Sequence, residues 1–359
     1  MRRFYDPQLR RRGAFPPPIK LVLFGPGTVH GLDDAEHRLR KALLLGGITP
    51  TTVAALGERA EREWTAAIAG WTECDRVTLF DEAVQVLAAS VLPWAGVPIT
   101  AEELPHRAHQ LATVLHGFAT PGPAYARAVL ARIRLGRWAK RLVRGVRAGQ
   151  VQAPADSALH RAAHAIDQRG ELLAERAAAT AVLNVVRPTV AVAWFVAFAG
   201  KALHEHPEWR ERIAGGDDRA LEAFVQEVRR LYPFVPVLAA RARAPQDVLG
   251  VRVPRGGLVV LDVHGTDHAP THWPDPDRFD PNRFLGAPVD PDTLVPQGSG
   301  DVATGHRCPG EGVTLTMLTV AVRALARLPR TAPAQDLGYD LTRVPTLPRS
   351  RVVLATSQD

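Results

Sequence analysis

Apolar positions recur at mixed three- and four-residue spacing along most of the chain, and this spacing predicts a mainly helical protein. Short runs rich in Val and Leu, bounded by Gly and Pro, predict a few β-strands. The predicted helices cover residues 33–45, 58–69, 75–91, 101–118, 124–147, 157–168, 171–206, 217–232 and 309–328. The predicted strands cover 237–243, 248–253, 257–261 and 351–355. The fold class is therefore mainly α with small β-sheets. Because no linker, repeat or low-complexity tract divides residues 1–359, we expect a single domain.

The longest apolar run, 177–203, has the length of a membrane-spanning helix. Asn184, Arg187 and Pro188 lie in its middle, and a central arginine would cost about 2.5–3.5 kcal/mol on membrane insertion. We therefore expect a long buried helix and no membrane span. The first residues are charged without an apolar stretch, so they do not resemble a secretory signal, and we expect a cytoplasmic protein.

The net charge of +7 raises the question of nucleic-acid binding, mainly through the segment 127–147, which is rich in Arg and lacks acidic residues. Trp138 is its only large aromatic residue, and no known nucleic-acid-binding signature is present. A basic helix face is the simpler interpretation, and we predict no nucleic-acid partner. Docking of an acidic partner or an anionic surface stays open.

Cys308 lies in the segment 305–311, Gly-His-Arg-Cys-Pro-Gly-Glu, just before an apolar helical pattern. With only Cys74 as a second cysteine, neither a cysteine metal cage nor a disulfide framework can form. A single cysteine can still be the sole protein ligand of a haem iron, and glycines beside it allow the backbone to approach a flat cofactor. The alternative is a buried, inert cysteine.

Three motifs occur in order: 227–230 (Glu-Val-Arg-Arg) with 232–234 (Tyr-Pro-Phe), then 279–284 (Phe-Asp-Pro-Asn-Arg-Phe), then the Cys308 segment. This set resembles the signature motifs of the cytochrome P-450 superfamily. The resemblance implies haem b with Cys308 as axial ligand, and a buried ion-pair network of Glu227, Arg230 and Arg283. Taken alone, a Glu and an Arg three residues apart are common on solvated helices.

The cysteine loop departs from the general superfamily pattern, with Asp301 and Thr304 at positions where a Phe and a Gly are usual. Its longer form, Pro-Gln-Gly-Ser-Gly-Asp at 296–301, resembles the bacterial fatty-acid peroxygenase branch. Further stretches that look like this branch are 94–98, 187–192, 202–209 and 261–266. The resemblance starts near Arg10, so the expected fold is a P-450 fold lacking its usual N-terminal helix and first strands. We expect the genomic sequence upstream of Met1 to encode them in frame.

Arg187-Pro188 stands in the middle of the long helix, where ordinary P-450 monooxygenases have an acid followed by an alcohol. A buried arginine needs an anionic partner, and no acidic residue lies nearby in the sequence. The resemblance implies that the partner is the carboxylate of a free long-chain fatty acid. It further implies hydroxylation at the α or β carbon with hydrogen peroxide as the oxidant, the carboxylate acting as general acid-base and no redox partner being required. A structural Asp or a haem propionate is the alternative partner of Arg187.

His30 lies in the segment 23–33, which resembles the family segment over the haem. Related hydroxylases often have Gln at this position and alkene-forming relatives have His, so possible oxidative decarboxylation to terminal alkenes is implied. A surface or structural loop histidine is the simpler alternative. By family position, the haem propionates would be met by cationic side chains whose alternative role is plain surface charge. These candidates are His37, Arg40, Lys41, His306 and Arg11.

Two other functions stay open at this point. One is a conventional monooxygenase that depends on a redox partner, against which Arg187-Pro188 argues. The other is a non-catalytic or degenerate haem-binding or lipid-binding protein, against which the complete set of haem motifs argues. No oligomeric state follows from the sequence.

Overall fold

Helices make up most of the protein, in a computed structural model that describes residues 2–25, 27–286 and 288–356. The single domain predicted over residues 1–359 therefore includes a few positions, Met1, Pro26, Ala287 and 357–359, that lie outside the described residues. The helices are α1 (Pro17–Ile19), α2 (Asp34–Leu45), α3 (Pro50–Gly70), α4 (Leu79–Trp94), α5 (Leu104–Gly117), α6 (Pro123–Arg147), α7 (Ala158–His164), α8 (Glu175–Val190), α9 (Val192–Glu205), α10 (Pro207–Ala214), α11 (Asp218–Leu231), α12 (Val263–Asp267) and α13 (Glu311–Ala326). Short 3-10 or π-helical turns cover Arg2–Tyr5, Lys20–Phe24, Val29–Gly31, Trp71–Glu73 and Pro281–Phe284.

Within the described ranges, the strands form three small antiparallel sheets. They are β1 (Leu9–Arg10), β2 (Arg76–Thr78), β3 (Val237–Ala242), β4 (Gln246–Val248), β5 (Val251–Val253), β6 (Leu258–Asp262), β7 (Arg330–Thr331) and β8 (Val353–Thr356). The first sheet has the order β1-β3-β6, with Leu9 opposite Ala242 and Leu238 opposite Leu261. The second has the order β2-β8-β7, and β4 pairs with β5 in a hairpin. The N-terminal strand thus completes a sheet formed mainly by residues 237–262.

The hydrophobic core lies between α3, α4, α5, α6, α8, α9, α11 and α13. Its largest fully buried side chains include Trp64, Trp194 and Phe198. The segment Glu175–Glu205, which comprises α8 and α9, is long and apolar enough to cross a membrane, yet 94% of its most apolar window is buried inside the protein. A helix that is apolar on all sides and enclosed by other helices is a core helix. The buried segment Glu175–Glu205 therefore places Arg187 deep in the molecule.

The predicted fold class, mainly α with small sheets, is confirmed. The prediction of one strand over 248–253 is wrong, because Leu249 and Gly250 adopt positive φ angles of 53° and 81° and form the turn between β4 and β5. The helix predicted over 58–69 begins earlier, at Pro50, where Thr49 caps it together with Thr52.

The helix predicted over 171–206 is divided in two at Ala191. Pro188 has no backbone N–H, so it removes one helical hydrogen bond and crowds the preceding turn. Helix α8 continues for two residues beyond Pro188 and ends at Val190, and α9 starts at Val192. Arg187 consequently lies in the last turn of α8.

Candidate haem and substrate site

Cys308 is held in a loop that ends where α13 begins. Its backbone N–H donates to the carbonyl of Gln297 (3.0 Å), and the Gln297 side-chain Nε2 lies 3.7 Å from Sγ. Burial raises the pKa of the thiol, while the Gly310 N–H and the Lys41 ammonium act in the opposite direction. The loop therefore presents one sulfur with donors placed to stabilise it as a thiolate.

Gln297 is oriented by groups that the sequence analysis did not single out. Arg229, which is buried, donates to Gln297 Oε1 (2.9 Å) and to Glu311 Oε1 (2.6 Å). Gln297 Nε2 also donates to the hydroxyl of Thr314 (2.9 Å). Arg229, Gln297 and Glu311 each lie inside a quoted motif, but no sequence pattern indicated that they contact one another. The sulfur is thus surrounded by an ordered polar network.

Four of the five predicted propionate contacts lie together beside the Cys308 loop. The rings of His37 and His306 lie against each other with centroids 4.0 Å apart and planes tilted by 33°, and His306 Nε2 lies 3.9 Å from Asp33 Oδ1. Burial and neighbouring cations lower the pKa of His37 to about 4 and that of His306 to about 2. Lys41 and Arg11 complete the group, with pKa values lowered by burial to about 8 and about 10. We refer to Arg11, His37, Lys41 and His306 as the cationic cluster, in which Arg11 and Lys41 carry the charge at neutral pH and the two histidines are neutral.

The fifth candidate, Arg40, is not brought into the cationic cluster. It is partly exposed, and burial lowers its pKa while the carboxylates of Glu36 and Asp167 act in the opposite direction. Arg40 lies one residue before Lys41 on α2, and adjacent residues of a helix point in different directions. Of Arg40 and Lys41, it is Lys41 that faces the Cys308 loop.

The charge of the cationic cluster indicates an anionic occupant. Lys41 Nζ donates to the backbone carbonyls of Gly305 (3.0 Å) and Arg307. The Arg11 guanidinium donates to the carbonyls of Phe4 and Ala239, both at 3.4 Å. In the described part of the chain neither cation makes an ion pair, although both are buried. Buried cations are stable only with anionic partners, and the two propionates of haem b would supply them beside the thiolate of Cys308. These residues fit haem b.

Glu227, Arg230 and Arg283 meet as the motifs imply. Arg230 forms a bidentate pair with Glu227 (2.6 and 2.8 Å), and both side chains are fully buried. Arg283 Nε lies 3.6 Å from Glu227 Oε1. Arg230 also donates to the carbonyls of Asp267 (2.9 Å) and Pro276 (2.8 Å), so the network ties α11 to the irregular segment before the cysteine loop.

Arg187 is 4% exposed, and its described partners are all neutral. Its guanidinium donates to the carbonyl of Leu23 and, at 3.3 Å, to Oδ1 of Asn184, while Nε has no partner among the described residues. Burial and the nearby Arg132 cation lower the pKa of Arg187 to about 9. No Asp or Glu of the described chain pairs with it, so the alternative of a structural carboxylate partner receives no support.

Arg132 is a second cation beside Arg187, and it belongs to the segment 127–147 that the sequence predicted to be a basic helix face. It projects from α6 against Gly25, whose φ of +81° and lack of a side chain allow the guanidinium to lie there; a Cβ atom would collide with it. Burial and Arg176 lower the pKa of Arg132 to about 10. Two desolvated cations near one another strengthen the local preference for an anion.

His30 lies between Arg187 and the cationic cluster. Its ring stacks on Phe24 with centroids 4.3 Å apart, and Nδ1 lies 2.9 Å from the hydroxyl of Thr28. Burial, followed by the charges of Arg187, Lys41 and His37, lowers its pKa to about 3, so the imidazole is neutral at physiological pH. His30 is therefore close to Arg187 on one side and to the cationic cluster on the other.

A family model described as cytochrome P-450 matches residues 219–327. Among curated proteins, cytochrome P-450 76C4 of Arabidopsis thaliana is 31% identical over 145 residues, which is 38% of this chain and 28% of that protein. Cyclooctat-9-en-7-ol 5-monooxygenase of Streptomyces melanosporofaciens is 32% identical over 158 residues. That match covers 38% of this chain and 33% of the relative, so the matched segments span a third or less of these curated proteins.

Solved structures resemble the chain over nearly its whole length. Cytochrome P450SP alpha (CYP152B1), in complex with (R)-ibuprophen, is 38% identical with a TM-score of 0.95, covering 99% of this chain and 87% of that one. Cytochrome P450EX alpha (CYP152N1) with myristic acid is 36% identical, with a TM-score of 0.92 and coverages of 99% and 86%. Ligand-free cytochrome P-450 OleT is 32% identical, with a TM-score of 0.95 and the same coverages. Together with the haem motifs, these matches show that the chain belongs to the cytochrome P-450 superfamily, in the branch that the CYP152 structures represent.

Proposed function

We propose that the protein is a haem-thiolate peroxygenase that uses hydrogen peroxide to hydroxylate free long-chain fatty acids at the α or β carbon. The observation that carries the proposal is the buried Arg187, which has only neutral partners in the described structure. A fatty-acid carboxylate would supply the missing anion. The solved relative with myristic acid bound supports this class of substrate.

Cys308 would ligate haem b, and the cationic cluster would meet the propionates. When bound, the haem would supply an iron centre that uses peroxide to insert oxygen into a C–H bond. The remaining steps belong to the protein and the substrate. Gln297 and Lys41 would stabilise the thiolate of Cys308. The Glu227 network would fix the segment that precedes the cysteine loop.

Arg187 would hold the substrate by its head. The planar guanidinium can bind a carboxylate through two parallel hydrogen bonds, and Arg132 would add a second positive charge. Fixing the carboxylate determines which substrate carbons lie nearest to the reactive centre, and these are Cα and Cβ. The apolar tail adds up to about 0.8 kcal/mol per buried CH₂ and selects for long chains.

The substrate carboxylate would also carry the proton. Peroxide cleavage requires a group that takes a proton from one oxygen and returns it to the other. No acidic side chain lies against Arg187 among the described residues, so the carboxylate held there is the available general acid-base. Arg187 keeps it ionised, and therefore able to accept a proton, at neutral pH.

Decarboxylation to a terminal alkene is a second outcome, and the position of His30 beside Arg187 favours it. The neutral imidazole can donate a hydrogen bond without carrying a charge. Binding of a carboxylate would offset the Arg187 charge, which is one of the causes that lower the pKa of His30. His30 would then be better able to take up a proton during the reaction.

The decisive experiment compares two oxidant systems on the purified, haem-loaded protein. Myristic acid is incubated either with hydrogen peroxide or with NADPH and a ferredoxin–reductase pair, and products are identified by mass spectrometry. We expect 2-hydroxy and 3-hydroxy acids or alkene with peroxide alone, and little product from myristyl alcohol, which lacks the carboxylate. Turnover only with the electron-transfer pair would identify a conventional monooxygenase. Binding without turnover in either system would identify a non-catalytic haem-binding or lipid-binding protein.

We also expect the protein to act in the cytoplasm without a nucleic-acid partner.

A further inference from the structure

A continuous chain of hydrogen bonds joins Arg187 to His30. Arg187 donates to Asn184 Oδ1 (3.3 Å), Asn184 Nδ2 donates to Thr28 Oγ1 (2.9 Å), and Thr28 Oγ1 lies 2.9 Å from His30 Nδ1. Asn184 precedes Arg187 by one helical turn on α8, whereas Thr28 comes from the N-terminal segment. The chain thus links two elements that are 156 residues apart in sequence.

The Thr28 hydroxyl bonds to the side chains of Asn184 and His30 and not to the local backbone. It is 2% exposed and directly precedes the 3-10 turn Val29–Gly31, a position where a threonine hydroxyl often caps a helix. Here the side chain makes no capping hydrogen bond. Its hydroxyl instead lies between Asn184 and His30.

The groups that can donate and those that can accept fix the direction of the hydrogen bonds between Arg187 and His30. A guanidinium only donates, so the atom of Asn184 facing Arg187 is the carbonyl oxygen, and the amide NH₂ faces Thr28. An NH₂ group donates, so Thr28 Oγ1 accepts from Asn184. A hydroxyl oxygen can accept a second hydrogen bond, but its buried proton also needs an acceptor, and among the described residues His30 Nδ1 is the only other atom hydrogen-bonded to Thr28 Oγ1. His30 Nδ1 is therefore the acceptor, and the ring proton lies on Nε2.

We propose that Thr28 and Asn184 are positioning residues that hold His30 in the Nε2–H tautomer, with the direction set by Arg187. Among the described residues, Nε2 makes no hydrogen bond, so its N–H is the polar group that His30 can offer to the reaction. The other tautomer would present a lone pair there and could not donate. The assignment rests on the proposed function only for its consequence in catalysis, because the tautomer itself is a property of the folded protein.

The tautomer can be measured directly. The haem-loaded protein is labelled with ¹⁵N-histidine and studied by NMR in the diamagnetic ferrous–carbon monoxide state, with His30 assigned from the signals lost in His30→Gln. We expect a protonated Nε2 and an unprotonated Nδ1 in the wild type. Thr28→Val keeps the side-chain shape but removes the hydroxyl, and should lower the ratio of Nε2–H to Nδ1–H about fivefold or more, the equivalent of one ordinary hydrogen bond.

Two further variants separate positioning from general disturbance. Thr28→Ser restores the hydroxyl and should restore the Nε2–H form. Thr180→Val makes the same chemical change at another buried position on α8, where the hydroxyl donates to the carbonyl of Arg176 (2.8 Å), and should leave His30 unchanged. A protonated Nδ1 in the wild type, or an unaltered tautomer ratio in Thr28→Val, would overturn the proposal.

The catalytic consequence has its own measurement. Thr28→Val should change the ratio of alkene to hydroxy acid severalfold while the Kd for myristic acid stays within about twofold, because Arg187 is untouched. If the wild type turns over no fatty acid, the proposed function fails, whereas the NMR result still decides the tautomer. An unchanged product ratio despite a lost tautomer preference would refute the catalytic part.

Discussion

Replacing Arg187 by Met tests the substrate assignment most directly. Methionine has a similar length and no charge, so the variant keeps much of the packing of α8 while removing the partner of the carboxylate. A buried, hydrogen-bonded charge pair loses about 3–5 kcal/mol when one partner is removed, because the other charge is left desolvated. Arg132 would still compensate part of this loss. We therefore expect the lower limit, about 3 kcal/mol, which corresponds to an increase of about 150-fold in the Kd for myristic acid.

Isothermal titration calorimetry on the haem-loaded proteins gives this number. Myristyl alcohol is the matched ligand: it has the same tail without the carboxylate, so its Kd should differ little between wild type and Arg187→Met. The thermal midpoint of the variant should not fall, since the substitution removes a desolvated cation whose pKa is already lowered to about 9. Binding of myristic acid within tenfold of wild type, by a variant with a normal haem spectrum, would refute the assignment.

Four shorter predictions test other parts of the site. Cys308→Ala should lose the red-shifted absorption of the reduced carbon monoxide complex that thiolate ligation produces; if the band persists, Cys308 is not the ligand. His30→Gln should raise the share of hydroxy acid over alkene at nearly unchanged Kd, measured by mass spectrometry under limiting peroxide, whereas equal ratios would return His30 to a structural role. Glu227→Gln leaves the Arg230 guanidinium without its charge partner and should lower the free energy of unfolding by about 3–5 kcal/mol, measured by urea denaturation. Burial raises the pKa of Asp267 from 3.8 to about 8, so the folded protein retains a proton that the unfolded chain has lost, and stability should fall as the pH rises between about 4 and 8. Asp267→Asn should flatten that dependence in urea denaturation measured across this range.

Periodicity predicted most helices because their apolar faces are long and regular, as in α2, α6 and α11. Periodicity failed where one or two residues determine the local backbone conformation. Leu249 has a positive φ although leucine seldom adopts one, so only Gly250 signalled the turn that divides the predicted strand. The start of α3 was missed because Thr and Val in its first turn have low helix propensity, although Thr49-Pro50 is a typical N-terminal signal.

Motifs identified the parts of the site whose spacing is local or whose order along the chain is distinctive. The resemblance implied the pairing of Glu227 with Arg230, and the structure shows it, since the two residues lie one helical turn apart on α11. Contacts between distant segments left no such trace. Thr28 meets Asn184 only because the N-terminal turn packs on α8, and Arg132 points inward only because Gly25 makes room for it.

The neutral oxygens around Arg187 have a consequence for the choice of ligand. The guanidinium is held by the carbonyl of Leu23 and the side-chain oxygen of Asn184, neither of which carries a net charge. An acidic side chain in the same place would act as a built-in competitor for every incoming carboxylate. Neutral oxygens orient the guanidinium without cancelling its charge, so Arg187 stays available to an anionic substrate and discriminates against neutral ones.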